Sequence, residues 1–103
     1  MIVHPAEEKI ARKLLGAEIE IIPMAVNDGW ARDTAPLFLT DGKGGRRAAG
    51  FAFNGWGAKF PPFTDDALLK AKLCALWKTP FYPIDLASEG GAVLVDGEGT
   101  LIV

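Results

Sequence analysis

Residues 27–36 concentrate the side chains that could carry chemistry. Asp28, Trp30, Arg32 and Asp33 place two carboxylates, an indole and a guanidinium within six positions. Apolar, strand-like runs lie on both sides, so strand ends would hold these polar groups in place. Binding and catalytic groups are found disproportionately on loops that a rigid scaffold positions. Residues 27–36 are therefore predicted to form a site loop.

A structural role is the simpler interpretation for each of these residues taken alone. Asp28 could accept hydrogen bonds from its own loop amides, as aspartates in turns do. Arg32 could pair with Asp33 or Glu20, and Trp30 could be a core anchor, because large aromatic residues bury a large area. Only the clustering of these side chains, together with later segments, favours a site.

Two later segments strengthen that prediction. A predicted strand, residues 48–53, runs into residues 54–57, where glycines flank Trp56 on both sides. Glycine permits unusual backbone angles, which would present the indole at a strand end. A hairpin tip whose tryptophan covers the edge of the core is the alternative. Further along the chain, Glu89 stands directly before two glycines.

The remaining pattern predicts helices and strands in one small domain of the α/β (α+β) class. Helices are predicted over residues 5–15 and from the N-cap Thr64 to about Trp77, with Leu69, Leu73 and Leu76 on the buried face of the second helix. Strands are predicted at residues 18–24, 37–40, 48–53 and 81–86, and a β-hairpin at residues 92–103. Pro83 predicts an edge position or a brief pairing for the fourth strand.

The composition favours a small globular domain and argues against nucleic-acid-binding and membrane-spanning proteins. The chain has 103 residues, 50% of them apolar and 23% charged, with a net charge of -2. These values predict a single globular domain over residues 1–103, and no basic cluster predicts a nucleic-acid partner. A single cysteine, Cys74, and the lack of a signal-peptide pattern favour a cytoplasmic protein. No apolar run is long enough to predict a membrane span.

Three motifs occur here in the order found in agmatine deiminases. They are Trp-x-Arg-Asp within residues 27–36, Phe-Asn-x-Trp-Gly within residues 51–59, and Glu-Gly-Gly at 89–91 followed by Asp-Gly-Glu-Gly-Thr at 96–100. From about residue 18 onward the sequence resembles the agmatine deiminase and bacterial peptidyl-arginine deiminase family. The combination is specific, whereas no single motif would be.

The resemblance implies a fold and a reaction. The fold is a partial pentein, with one to two ββαβ-type units and two helices packed on a mixed sheet, here the N-terminal portion of an incomplete domain. The reaction is hydrolysis of a small guanidinium substrate such as agmatine to N-carbamoylputrescine and ammonia, a step of putrescine biosynthesis, without cofactor or metal. In this family a cysteine thiolate attacks the guanidinium carbon, ammonia leaves, and water releases the ureido product.

The resemblance also implies roles for individual residues. Asp33 and Glu89 match the two carboxylates that grip the guanidinium, and Trp30 and Trp56 match positions near the pocket. A guanidinium presents its donors in a fixed planar fork, which suits carboxylates, and an indole face attracts a cation. Structural support of the site is implied for three further residues, namely Asp28, Arg32 and Asn54.

The sequence departs from the family at the catalytic positions. The catalytic histidine and the nucleophilic cysteine of the family lie beyond the Glu-Gly-Gly region of a longer chain, and neither His4 nor Cys74 matches them. No catalytic residue is therefore assigned. His4 is instead predicted to be a helix cap or exposed, and Cys74 a buried structural residue. Ala35 replaces the glycine usual in this family before Pro36.

The main prediction is thus a chain that carries the guanidinium-binding half of a deiminase and is inactive alone, because a positioned cation without a nucleophile gives no covalent intermediate. One alternative is a binding or assembly module derived from a deiminase that forms a homo-oligomer through exposed strand edges. Another, within the family, is a peptidyl-arginine deiminase.

Overall fold

The computed structural model describes the whole chain, residues 1–103. Its strands are β1 Ile2–Val3, β2 Ile22–Pro23, β3 Leu37–Thr40, β4 Arg46–Ala52, β5 Phe81–Ala87, β6 Leu94–Val95 and β7 Leu101–Ile102. Its helical segments are α1 Glu8–Leu14, α2 Ala31–Thr34, α3 Gly55–Ala58 and α4 Thr64–Leu76, with 3-10 turns at Pro5–Glu7 and Gly90–Ala92.

A mixed three-stranded sheet in the order β3-β4-β5 forms the centre. Strands β3 and β4 pair antiparallel, and β4 pairs parallel with β5 after the chain crosses over through α4. This succession is one ββαβ unit, as predicted. Asp41 closes the β3–β4 turn, where its Oδ1 accepts the backbone N–H groups of Lys43 and Gly45 at 2.8 and 2.9 Å. These hydrogen bonds hold the pKa of Asp41 below its ordinary value.

The core lies between α4 and β4. Leu69, Leu73 and Cys74 of α4 are all at least 98% buried, and Ala48 of β4 is fully buried. The predicted burial of Cys74 is confirmed. The predicted buried face is wrong at Leu76, which is the last residue of α4 and is 53% exposed.

The N-terminal segment is helical but contributes little to the core. The predicted helix over residues 5–15 is a 3-10 turn followed by α1, and the imidazole Nδ1 of His4 accepts the Ala6 N–H at 3.3 Å as its cap. The apolar side chains of Ile10 and Leu14 are mostly exposed, and α1 has no buried residue.

The predicted strand over residues 18–24 is much shorter in the structure. Only β2 remains, paired parallel with β1. The Ile19 N–H donates to the Gly16 carbonyl at 3.0 Å, so a turn takes up the first part of the alternating segment before a strand can begin. The alternation of Glu and Ile in this segment therefore predicted a longer strand than the structure has.

The C-terminal third follows the predicted pattern. Strand β5, which contains Pro83, is the edge of the central sheet, and β6 and β7 form the predicted antiparallel hairpin. None of the helices has the length and apolar character needed to cross a bilayer.

Candidate functional site

The predicted site loop contains one turn of helix, α2. The Ala35 N–H donates to the Ala31 carbonyl at 2.8 Å, and the Thr34 hydroxyl donates to the Trp30 carbonyl at 3.1 Å. Thr34 is 1% exposed, so the turn is anchored in the protein interior. This anchoring fixes the position of Asp33, the residue directly before it.

Asp33 joins the three sequence motifs. Its Oδ2 accepts the indole N–H of Trp56 at 3.2 Å, and its Oδ1 accepts the backbone N–H of Gly91 at 3.0 Å. The two donors come from segments that lie 23 and 58 residues further along the chain. Because each oxygen is held by a different donor, the plane of the carboxylate is fixed before any ligand binds.

An unusual backbone presents Trp56 to Asp33. The whole of α3 has positive φ, with 65° at Gly55, 55° at Trp56, 75° at Gly57 and 61° at Ala58. The left-handed region is costly for residues with a side chain and is seen where the surrounding structure enforces it. Asn54 enforces it here, because its Oδ1 accepts the Gly57 N–H at 2.9 Å.

An open cavity of about 470 Å³ lies beside Asp33, and its lining is Asp28, Trp30, Asp33, Trp56 and Phe60. The rings of Trp30 and Trp56 meet edge to face with centroids 6.3 Å apart, and those of Trp56 and Phe60 do so at 5.7 Å. A lining of aromatic rings and two carboxylates suits a flat organic cation.

Phe60 is a wall residue that the sequence did not reveal. Two prolines follow it, a pattern typical of a stiff connector before α4. Its position four residues after Trp56, in a segment that already turns back at glycines, is the only signal that could have placed it beside the indole.

Glu89 is not part of the cavity lining. It is half-buried and precedes the 3-10 turn Gly90–Ala92, which packs against α2. A side chain at Gly90 would collide with the carbonyl oxygen of Arg32, and a Cβ at Gly91 would lie 2.7 Å from Oδ1 of Asp33. The two glycines therefore allow this segment to reach Asp33, and they bring the backbone next to Glu89 close to the site.

The three residues expected to support the site differ in what they do. Asn54 caps α3 as described above. Asp28 lines the cavity and also accepts the Gly29 N–H at 2.6 Å, as in a local turn. Arg32 forms no ion pair, because the two ion pairs of the chain join Arg12 to Glu8 and Lys72 to Asp65. The alternative in which Arg32 pairs with Asp33 or Glu20 is therefore not what the structure shows.

Residues 27 and 28 are held by helix α4 through a reciprocal set of hydrogen bonds. Oδ1 of Asn27 accepts the N–H groups of Asp65 and Asp66 at 2.8 and 3.3 Å. Oδ1 of Asp66 in turn accepts the N–H groups of Asn27 and Asp28 at 2.7 and 3.4 Å. The predicted N-cap Thr64 is wrong, because a residue of the site loop, distant in sequence, satisfies the first amides of the helix.

The two residues that could have been mistaken for catalytic groups lie outside the cavity. Cys74 is 1% exposed, and burial raises the pKa of its thiol, an effect that the charge of Arg46 partly opposes. His4 remains at the start of the first 3-10 turn. The cavity lining therefore contains carboxylates and aromatic rings and no thiol or imidazole.

Comparison with known proteins places this arrangement in a family. The sequence profile of the Porphyromonas-type peptidyl-arginine deiminase family matches residues 1–103. A Streptomyces coelicolor protein named "Putative agmatine deiminase" is 38% identical over 104 residues, which cover all of this chain and 31% of that protein. A Listeria monocytogenes protein named "Putative agmatine deiminase 2" is 39% identical over 107 residues and 29% of its length.

Solved structures agree with the sequence matches. The agmatine deiminase of Enterococcus faecalis superposes with a TM-score of 0.92 at 32% identity, over 97% of this chain and 29% of that one. A C. jejuni agmatine deiminase with substrate bound gives a TM-score of 0.79 at 28% identity, over 94% of this chain and 29% of that one. The chain thus spans less than a third of these relatives.

The predicted partial pentein fold is confirmed, with one complete ββαβ unit in β3, β4, α4 and β5. The three motifs that suggested the resemblance are the segments that meet at Asp33. The chain therefore belongs to the Porphyromonas-type peptidyl-arginine deiminase family.

Proposed function

We propose that this chain binds the guanidinium group of agmatine, for hydrolysis to N-carbamoylputrescine and ammonia by an agmatine deiminase of which it forms the binding half. The observation that carries the proposal is the Asp33 carboxylate, held by Trp56 and Gly91 at the edge of an aromatic cavity. The names of the relatives support agmatine as the substrate.

The geometry of Asp33 suits a guanidinium. An ionised carboxylate has about four lone-pair sites, and the two protein donors occupy one on each oxygen. One site on each oxygen is left for the parallel N–H groups of a guanidinium fork. Glu89, which the neighbouring segment carries, is proposed as the second carboxylate.

The rest of the cavity favours a cation over a neutral ligand. Asp28 adds a second negative charge to the lining, and the indoles of Trp30 and Trp56 present π surface. In the empty site the carboxylates of Asp28 and Asp33 repel each other, and a bound cation relieves that repulsion. Binding selectivity for cations follows from these groups alone.

Bond breaking requires a nucleophile within reach of the guanidinium carbon. The cavity holds none, and Cys74 is buried in α4 with the pKa of its thiol raised. The chain alone is therefore proposed to bind without catalysing.

The test is an assay for ureido product from agmatine at high protein concentration. It compares this chain with the same reading frame extended past Val103. Product from the extended chain only is expected. Product from this chain alone would overturn its assignment as a binding half, and product from peptidyl-arginine but not from agmatine would favour the alternative substrate.

A second candidate is a self-associating module, which the exposed apolar side chains of β6 and β7 favour. Leu94, Val95, Leu101 and Ile102 are each more than half exposed, and β5 presents an open strand edge. Unpaired edges and exposed apolar strands are templates for pairing with another chain. A stable dimer in light scattering that binds no agmatine would support this candidate over the first.

A further inference from the structure

We propose that Asp66 and Lys70 are positioning residues that connect helix α4 to both halves of the candidate site. They lie one helical turn apart and are 2% and 4% exposed, which is rare for charged side chains. Neither forms an ion pair. Each is hydrogen-bonded instead to the backbone of a different site segment.

Asp66 holds the first segment. Its Oδ1 accepts the N–H groups of Asn27 and Asp28. The Oδ1 of Asn27 in turn accepts two backbone N–H groups at the start of α4. Asp28 lines the cavity, and Trp30 follows two residues later. The orientation of this wall relative to the helix therefore depends on the Asp66 carboxylate.

Lys70 holds the second segment. Its Nζ donates to the Phe51 carbonyl at 2.7 Å and lies 5.9 Å from the centroid of the Phe53 ring. The Phe53 ring in turn meets the Trp56 indole edge to face at 5.0 Å. Lys70 thus fixes the end of β4 from which Trp56 reaches Asp33.

Energetics favour a positioning role over a purely stabilising one. Burial of a charge that lacks an ionic partner costs free energy. Replacement of buried charged residues by well-packed apolar residues of similar size is often neutral or stabilising. A helix whose only task was to cover the sheet could carry apolar residues at both positions. The two polar groups instead provide directional bonds, which apolar packing cannot supply.

The inference rests on the proposed function only for the identity of the ligand. The experiment that tests it is carried out without any ligand. The indole N–H signals of the three tryptophans are measured by ¹H–¹⁵N NMR in the full chain. Trp30 and Trp56 report on the two cavity walls. Trp77, which packs against Phe38 outside the cavity, is the internal reference.

Three variants and two matched controls are compared. Lys70→Met keeps the aliphatic stem, and its control Lys72→Met changes a partly exposed residue of the same helix. Asp66→Ala removes the acceptor and Asp66→Asn keeps it. The control for both is Asp65→Asn, which changes a partly exposed residue that pairs with Lys72.

We expect Lys70→Met to move the Trp56 signal and Asp66→Ala to move the Trp30 signal. Asp66→Asn should have a smaller effect, and Trp77 and the controls should not change. A native-state Trp56 signal that stays in place in Lys70→Met, or a native-state Trp30 signal that stays in place in Asp66→Ala, with stability alone reduced, would overturn the inference. If Asp66→Ala does not fold, the Trp56 signal of Lys70→Met still decides. Agmatine affinity is measured separately, so a chain that binds no agmatine would contradict the proposed function and not this one.

Discussion

The indole Nε1 of Trp56 lies 3.2 Å from Oδ2 of Asp33, a residue 23 positions earlier in the chain. This hydrogen bond joins the second sequence motif to the first. The Gly91 N–H joins the third motif through the other oxygen of the same carboxylate. Three motifs that are separate in sequence therefore meet at one side chain, and the predictions below test that junction and the helix behind it.

Trp56→Phe should weaken agmatine binding while leaving the chain folded. The phenyl ring still packs on Phe53 and Phe60, but the carboxylate loses one of its two donors. A hydrogen bond to a charged group contributes about 1.5 to 3 kcal/mol, so the dissociation constant should rise by roughly tenfold or more. Isothermal titration calorimetry measures this change.

Trp77→Phe is the matched control for that substitution, because Trp77 packs against Phe38 at 5.9 Å and does not line the cavity. The affinity of Trp77→Phe for agmatine should equal that of the wild type. An equal loss in both variants would show that the Trp56 N–H has no specific role.

Gly90→Ala should destabilise the chain, because the new methyl group would collide with the Arg32 carbonyl oxygen. The backbone cannot move aside as a flexible side chain could. Overpacking of this kind lowers the free energy of unfolding by about 1 to 3 kcal/mol. Urea unfolding followed by fluorescence measures the loss. Gly29→Ala, whose Cβ would meet no atom within 4 Å, is the control and should change stability little. Equal stability of the two variants would contradict the close packing of the third motif on α2.

Cys74 should react slowly with a thiol reagent in the folded chain. The side chain is 1% exposed and burial raises the pKa of the thiol, so both access and thiolate population are low. Labelling should accelerate sharply once urea unfolds the chain. Rapid labelling without denaturant would instead indicate an accessible, activated cysteine.

The stability of the chain should depend on the protonation of Lys70. Burial lowers the pKa of its ammonium group below the ordinary value of 10.5. Between the lowered pKa and 10.5 the unfolded chain binds more protons at this residue, so its contribution to the free energy of unfolding increases with pH. The stability of the wild type relative to Lys70→Met should therefore rise toward pH 10.5, as measured by urea unfolding at several pH values.

Lys72→Met, measured over the same pH range, corrects for a change of net charge on the same helix. A difference between the wild type and Lys70→Met that does not vary with pH would contradict burial of the charged amine.

The sequence predicted the elements that depend on local chemistry. Strand β3, the edge position of the strand with Pro83 and the C-terminal hairpin all follow from turn residues and alternation. Family resemblance added the pentein fold, which these local patterns alone do not specify. The family motifs also indicated which residues to examine at the site.

The errors arose where tertiary contacts determine the outcome. Thr64 has the chemistry of an N-cap, but the side chain of Asn27 takes that place from 38 residues away. Asp66 and Lys70 resemble solvated helix residues in the sequence and are buried in the structure. Phe60 belongs to the cavity only because α3 turns back on itself. None of these contacts follows from local spacing.

A guanidinium site at Asp33 should be visible when this chain is titrated with agmatine and the indole N–H signals are followed by NMR. We expect the Trp30 and Trp56 signals to move together and saturate, Trp77 not to respond, and Asp33→Asn to abolish the effect. An absence of saturation, or an equal response of Trp77 and of the Asp33→Asn variant, would contradict a guanidinium site built on Asp33.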